Sequence, residues 1–163
     1  MRLAVISDTH LPRGARRLPD ACVERLRAAD AILHAGDFVS ASVLDELGAL
    51  GPPLVAVHGN VDDDEVRRRL PERRVFDAAG TPIGLVHDAG PATRRVERLR
   101  AAFPGCAAVV FGHSHIPLLA GDGAGFQIFN PGSPTDRRRQ PRHSMGLAEA
   151  DGGAVRFELV TLD

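Results

Sequence analysis

The stretch AILHAGDFVSASVLDELGALGPPLVAVHGN, residues 31–60, contains a complete strand–helix–strand unit. Its first apolar run, Ala31 to Leu33, is followed by leucines at helical spacing, in a segment that begins at Ser42 and stops at Gly51 and two prolines. The second apolar run, Leu54 to Val57, is the next strand. Strands that are buried on both faces read as continuous apolar runs, so this unit predicts strands of a parallel sheet.

The same alternation extends on both sides of this unit. Upstream, Leu3 to Ile6 is an apolar strand, and Asp20 is the predicted N-cap of the helix that follows it. Downstream, segments 81–87 and 107–113 predict two strands that flank a helix at 93–103. The order of these segments is typical of an α/β protein.

The C-terminal part of the chain has a different pattern. Glycine-rich turns at 121–125 and 151–153 each separate two short runs, which predicts two antiparallel hairpins. No linker or internal repeat divides the chain, and 163 residues are enough to bury a sizeable core. We therefore expect one domain over residues 1–163.

Composition argues against several classes of protein. The net charge is −1, so no basic excess indicates bulk binding of nucleic acid. No run approaches about 20 apolar residues, so we expect no membrane span, and Leu3 to Ile6 is too short for the apolar region of a signal peptide. The two cysteines, Cys22 and Cys106, lie far apart in the sequence. We expect a cytoplasmic protein with reduced thiols.

Several apolar strands end in side chains that can bind a metal. These are Asp8, His10, Asp37, Asn60, His87, His113 and His115. Ligands of an open parallel sheet bind beyond the carboxyl ends of its strands, so all seven side chains are expected at one edge. In DTH (8–10) and HSH (113–115) the outer residues are two apart. An extended backbone would project both members of a pair to the same side, where they could converge on one ion.

Taken one at a time, these positions have a simpler interpretation. A single Asp or His at a strand end is more often a cap or a turn residue, and GD or GN alone is only a turn signal. Seven such side chains at strand ends are hard to explain as independent turns. His34, His58 and His143 fit the pattern less well, and we expect structural roles or roles behind the ligands for them. The run 67–69 predicts a solvated helix face.

The blocks SDTH, HAGD, HGNVD, VHD, GHSH and NPGS occur in this order between residues 7 and 133. In this respect the chain resembles the calcineurin-like metallophosphoesterase superfamily, in its small single-domain phosphodiesterase branch. The resemblance implies an α/β fold, a four-layer α/β/β/α sandwich of two mixed sheets with helices on the outer faces. It also implies a binuclear metal site.

The resemblance assigns each candidate residue to one of two ions. The first ion would be held by Asp8, His10, Asp37 and His115. The second would be held by Asp37, Asn60, His87 and His113, so that Asp37 bridges the pair. Imidazole and carboxylate ligands suit divalent transition metals. We expect two ions per chain, with Mn²⁺ first and Fe, Ni or Zn as alternatives.

Two such ions about 3.5–4 Å apart can hold the attacking and departing oxygens of an in-line displacement. The same seven residues are therefore the predicted catalytic set, acting through a metal-bridging hydroxide as the nucleophile. Val61 stands where larger relatives carry a His that can protonate the leaving group. Asp88-Ala89-Gly90 follows His87 where relatives often show Gly-His. The first departure leaves the source of the leaving-group proton open.

The leading hypothesis is a phosphodiesterase that acts on a small phosphoester. A phosphomonoesterase is one alternative, and a non-catalytic scaffold like the retromer subunit of this fold is another, although a scaffold would be expected to lose ligands. The resemblance also allows a homodimer. Finally, the loop with Arg137, Arg138, Arg139 and Arg142 could reach a phosphate or could be an ordinary solvated loop.

Overall fold

Two five-stranded sheets face each other in the computed structural model, which describes residues 1–163. The first sheet has the strand order β10-β9-β1-β2-β3. Its strands are β1 (Arg2–Ile6), β2 (Ala31–His34), β3 (Leu54–Ala56), β9 (Ser144–Asp151) and β10 (Ala154–Thr161). β1, β2 and β3 are parallel, whereas β9 pairs antiparallel with both β1 and β10.

The second sheet has the order β4-β5-β6-β8-β7. Its strands are β4 (Arg73–Asp77), β5 (Pro82–Val86), β6 (Ala108–Val110), β7 (Leu118–Gly121) and β8 (Gln127–Asn130). β5, β6 and β8 run parallel, and β4 and β7 are antiparallel edge strands. Both sheets are therefore mixed, as the resemblance implied.

Four α-helices and a short 3-10 helix, Arg13–Ala15, complete the molecule. The α-helices are α1 (Asp20–Ala28), α2 (Ala41–Gly48), α3 (Asp64–Arg69) and α4 (Arg95–Ala102). None of them has the length and apolar character that crossing a membrane would require. Cys22 and Cys106 are both free thiols.

The apolar residues of the strands separate into three layers. In β1, Leu3 and Val5 face the other sheet, whereas Ala4 and Ile6 face the helices, as the period of two requires. The layer between the sheets also contains Phe129 of β8. The other two layers pack the first sheet against α1, α2 and α3, and the second sheet against α4. This is the predicted α/β/β/α sandwich.

Some local predictions were wrong. Asp20 is the first residue of α1 and Pro19 precedes it, with no side-chain cap. β4 was not predicted, because most of this edge strand is exposed and it lacks an apolar run. The predicted strands 81–87 and 107–113 do pair in parallel, but they belong to the second sheet. Both C-terminal hairpins are present as predicted, since β7 pairs with β8 and β9 with β10.

Candidate metal centre

Five strands direct their carboxyl ends toward one cluster of polar side chains. β1, β2 and β3 of the first sheet lead into the loops with Asp8, Asp37 and Asn60. In the second sheet, His87 directly follows β5, and the loop after β6 carries His113 and His115. All seven predicted side chains therefore lie at these strand ends, and the contacts below connect them.

One half of the cluster is fully enclosed. His115 Nε2 lies 3.4 Å from Asp8 Oδ1, and His10 Nε2 lies 3.9 Å from the same oxygen. The three side chains are at most 5% exposed, and their ligand atoms lie within 4.8 Å of one another. His10 Nε2 and His115 Nε2 are buried and have no hydrogen-bond partner. Two unpartnered buried nitrogens beside a carboxylate are what a cation would satisfy.

The other half opens to solvent. His87 Nε2 lies 3.3 Å from Asp37 Oδ2 and 3.1 Å from Asn60 Oδ1. His113 Nδ1 lies 3.0 Å from the same amide oxygen, and both His113 and Asn60 are exposed. Asp37 Oδ2 is also 3.5 Å from His10 Nε2, so this carboxylate connects the two halves. A cavity of about 320 Å³ adjoins Asn60 and His87.

The backbone at these residues is not extended. Asp8, His10, Asp37, His113 and His115 all have φ between 47° and 68°, in the left-handed region. The expectation of alternating, extended ligand pairs was therefore wrong. Within HSH, His113 points to the open half and His115 to the enclosed half, so this pair does not converge. Such conformations cost about 1–3 kcal/mol each and are typical of functional sites.

Comparison with known proteins decides the family. The family model of the calcineurin-like phosphoesterase superfamily domain matches residues 1–153 of this chain. A probable metallophosphoesterase of Methanothermobacter thermautotrophicus is 34% identical over 162 residues, which cover 98% of this chain and 92% of the relative. The chain belongs to the calcineurin-like phosphoesterase superfamily.

Solved structures share this calcineurin-like fold over the whole chain. A Thermotoga maritima protein is 34% identical, with a TM-score of 0.77 and 99% coverage of both chains. Zinc-bound Vps29 of Entamoeba histolytica has a TM-score of 0.77 at 22% identity and covers both chains completely. An archaeal phosphodiesterase has a TM-score of 0.74 at 19% identity, covering 98% of this chain and all of the other. The last two likenesses show the fold alone.

In this calcineurin-like site, Gly59 and Gly112 each precede a candidate ligand, at positions with no room for a side chain. A Cβ on Gly59 would lie 2.0 Å from Asp37 Oδ1. A Cβ on Gly112 would lie 1.9 Å from Ser7 Oγ and 2.7 Å from Asp8 Oδ2. The GN and GH pairs are thus close approaches between neighbouring loops, rather than ordinary turns.

Asp62 holds two of the ligand loops together, and the sequence did not single it out. Its carboxylate accepts hydrogen bonds from the backbone N–H groups of Asp37, Val39 and Gly59, at 2.7–3.1 Å. The side chain is 5% exposed. Its place two residues after Asn60, in GNVD, is the only feature of the sequence that could have indicated this role. Val61 between them donates its N–H to Asp37 Oδ1 at 3.0 Å.

His34 plays a similar role between the loops after β1 and β2. Gly36 N–H donates to His34 Nδ1 at 3.1 Å, so the ring proton is on Nε2 and points at Thr9 Oγ1, 3.2 Å away. The ring stacks on Phe38, with the centroids 3.6 Å apart. Burial first, and then the charge of His87, lowers the pKa of His34 to about 3. This matches the expected role behind the ligands.

The NPGS turn and the residues after it support the enclosed half from outside. Ser133 Oγ donates to the Asp8 carbonyl at 2.8 Å, and Thr135 Oγ1 donates to the Thr9 carbonyl. His115 Nδ1 donates to the Asp136 carbonyl, which leaves Nε2 free to bind a cation. By contrast, His143 pairs with Asp163 near the C-terminus and takes no part in the cluster.

At Asp37 and His115 the electrostatics of the cluster favour the protonation states that cations need, whereas at His87 they favour the proton while no cation is bound. Burial alone would raise the pKa of Asp37, but the hydrogen bond and charge of His87 lower it to about 2. Burial lowers the pKa of His115, which keeps that imidazole neutral. For His87, burial opposes protonation, but the hydrogen bond with Asp37 and the charge of Asp8 raise its pKa. A bound cation would take the place of that proton.

Proposed function

We propose that the protein is a phosphodiesterase that works with two divalent cations, Mn²⁺ in the first place. The observation that carries this proposal is the position of Asp37, whose Oδ2 faces His10 at 3.5 Å and His87 at 3.3 Å. A carboxylate between two groups of imidazoles suits a pair of cations better than a single one. The first would be held by Asp8, His10, Asp37 and His115, and the second by Asp37, Asn60, His87 and His113.

Bound cations would supply Lewis acidity and a water with a pKa near 7. The chain supplies the rest. The buried carboxylates set the charge of the site, and His113 and Asn60, which are exposed, stand where a phosphoester would enter. The enclosed half excludes water, and this exclusion strengthens the attraction between the cations and the ester oxygens.

The preference for a diester has two supports. One is the resemblance to the small phosphodiesterase branch, which commonly lacks the proton-donating His, as this chain does with Val61. The other is the archaeal phosphodiesterase that shares the fold. We also propose that residues 1–163 act as one domain, because the central apolar layer contains residues of both sheets. A cytoplasmic location and a homodimer remain proposals from sequence.

The test is a metal-reconstituted activity screen. The protein is stripped with a chelator, reloaded with Mn²⁺, Zn²⁺, Fe²⁺ or Ni²⁺, and assayed on bis-p-nitrophenyl phosphate and p-nitrophenyl phosphate. We expect hydrolysis of the diester to exceed that of the monoester, with two ions per chain by elemental analysis. Faster hydrolysis of the monoester would identify a phosphomonoesterase. No hydrolysis with any metal would refute the enzyme proposal.

One observation favours the scaffold alternative. Ile116 and Leu119 follow the ligand His115 and are 51% and 50% exposed, which would suit a protein contact. Vps29, which shares the fold, was solved as a zinc complex. A scaffold would bind metal in the same screen without hydrolysing either ester, so the two functions are separated by one experiment.

A further inference from the structure

Arginines crowd one flank of the candidate centre, beside its enclosed half. We call this flank the basic rim and define it by two segments, residues 13–17 and 136–139. The rim carries six arginines and one carboxylate, whereas the rest of the chain contains 14 arginines and 20 carboxylates. A net charge of −1 therefore conceals a strongly positive flank on an otherwise negative molecule.

Backbone and side-chain contacts fix the rim next to the ligands. Arg13 N–H donates to the His10 carbonyl at 3.1 Å, and the Asp136 carbonyl accepts from His115 Nδ1. Arg16 Nη2 lies 3.3 Å from Asp136 Oδ2, which joins the two segments of the rim. The positive charge thus lies beside the enclosed half of the site.

Most of the arginines of the rim have no carboxylate in direct contact. Arg16 has a carboxylate within 4.0 Å, and none of the other five has one. Those five are exposed; they are Arg13, Arg17, Arg137, Arg138 and Arg139. Like charges held together at a surface repel one another unless an anion binds between them. Guanidinium groups are well suited to phosphate, which they bind through two parallel hydrogen bonds.

We propose that the basic rim binds further phosphates of an extended substrate, and that this substrate is a single-stranded oligonucleotide. The inference rests on the proposed function and names the substrate class of the same site. The reaction stays a hydrolysis: water forms a new O–P bond, the bond to one nucleoside oxygen breaks, and that oxygen takes up a proton of the water.

Two observations favour this substrate. Six guanidinium groups exceed what one additional phosphate would engage, so a series of phosphates fits better. The ligands Asp8, Asp37 and His115 are at most 2% exposed, so the phosphate to be cleaved must enter a recess, which a flexible strand does more readily than a duplex. Because the chain contains no Tyr or Trp, the bases of such a strand find little to stack on, and we expect contacts to phosphates to dominate its binding.

The first experiment compares two substrates with two variants. The rim variant is Arg137→Gln/Arg138→Gln/Arg139→Gln. The control, Arg27→Gln/Arg74→Gln/Arg94→Gln, makes the same change in net charge at exposed arginines outside the rim. With Mn²⁺ loaded, the rim variant should lose at least about tenfold in kcat/KM on a (dT)10 that carries a 3′ p-nitrophenyl phosphodiester. On bis-p-nitrophenyl phosphate it should change less than about twofold, and the control should resemble wild type on both substrates.

The second experiment measures binding alone, by fluorescence anisotropy of labelled (dT)12 in chelator over a range of salt. Three lost phosphate contacts should flatten the slope of log K against log salt by about 2, at about 0.7 for each contact on a single strand. This readout is independent of hydrolysis. If no metal restores activity, the proposed function fails, and the anisotropy still decides the role of the rim.

Several results would overturn the rim proposal. One is equal binding and cleavage of the oligonucleotide by wild type and the rim variant. Another is an equal loss on both p-nitrophenyl substrates, which would indicate damage to the centre itself. A third is rim-dependent binding to vesicles of phosphatidylserine and phosphatidylcholine without binding to (dT)12, which would identify a membrane surface as the partner.

Discussion

Asp37 is the residue on which the proposed centre depends most. It faces imidazoles of both halves, and two contacts hold it in place: its N–H donates to Asp62 and its Oδ1 accepts from Val61 N–H. Asn60, in contrast, contacts only the open half, through His87 and His113. The two residues should therefore differ in how many ions they retain.

We expect Asp37→Ala to lose more than one metal equivalent per chain, because two cations would then face each other with less negative charge between them. Asn60→Ala should mainly empty the open half and keep close to one equivalent. Elemental analysis after reconstitution and desalting measures both, with Asp151→Ala in an exposed hairpin turn as the control. An Asp37→Ala protein that keeps two ions would contradict the bridging role.

Val61 leads to a prediction about leaving groups. Valine has no proton to donate, and a positioned general acid is typically worth about 10²–10⁴ in rate. An aryl oxygen departs readily without a proton, whereas an alkoxide does not. We therefore expect aryl diesters to be cleaved far faster than alkyl diesters, and Val61→His to raise the alkyl rate selectively. A series of substituted aryl and alkyl methyl phosphodiesters measures this as kcat/KM, with metal content checked. Equal wild-type rates, when chemistry is rate-limiting, would mean that another group supplies the proton.

At the scale of elements, the site consists of loops rather than strands. The residue types and their places after β1, β2, β3, β5 and β6 could be predicted, because the apolar runs end sharply and the ligands follow. The loop conformations could not. The left-handed backbone at Asp8 and His10 depends on contacts with distant parts of the chain, such as Ser133, and local sequence does not show them.

Roles that depend on neighbouring loops were missed for the same reason. Asp62 reads locally as a turn residue, and only the fold shows that its carboxylate collects N–H groups from two loops. His34 was given a role behind the ligands, yet its partners Thr9 and Gly36 could not be named from sequence.

His34 predicts how stability depends on pH. Its pKa is lowered from 6.5 to about 3, so between these values the unfolded state binds one more proton than the folded state. Its contribution is therefore intact above pH 6.5 and falls by about 1.4 kcal/mol for each pH unit below it. The Asp37 carboxyl acts in a separate window, because its pKa moves from 3.8 to about 2 and its contribution is lost only there.

The measurement is urea unfolding in chelator at pH 6.5 and pH 5.0. His34→Gln can keep both hydrogen bonds without titrating. Between pH 6.5 and pH 5.0 the free energy of unfolding of this variant should therefore fall by about 2 kcal/mol less than that of wild type. His143→Gln is the matched control, since that ring lies in a surface pair with Asp163. An equal fall in the free energy of unfolding for wild type and His34→Gln would show that unfolding does not change the pKa of His34.

At the scale of the whole molecule, the layers were easier to predict than the strand order. The continuous burial of β1, whose successive residues face different layers, and the apolar helix stripes require a sheet covered on both sides. The division of the strands between two sheets depends on pairing between distant segments, such as β1 with β9, and no local pattern specifies it. The resemblance to a family provided this part of the prediction.

Phe129 tests whether the two sheets form one cooperative unit. It lies on β8 of the second sheet, is fully buried, and stacks on Phe157 of β10 in the first sheet, with the ring centroids 4.6 Å apart. The packing leaves no spare room, because a Cβ on Gly146 would lie 2.3 Å from the Phe129 ring. Truncating this ring should therefore leave a cavity between the sheets that neither can fill.

We expect Phe129→Ala to lower the free energy of unfolding by about 3–5 kcal/mol, the range for large-to-small changes at buried Phe. Val75→Ala is the control in the same sheet, since Val75 is 56% exposed and should change stability by less than about 0.5 kcal/mol. Because the chain has no Trp or Tyr, unfolding is followed by far-UV circular dichroism and by methyl NMR signals from each sheet. In a single domain the signals of both sheets should disappear together within each protein, at a lower urea concentration in Phe129→Ala than in wild type. If the signals of one sheet disappear first in wild type, the sheets are separate units and the proposal of one domain is wrong.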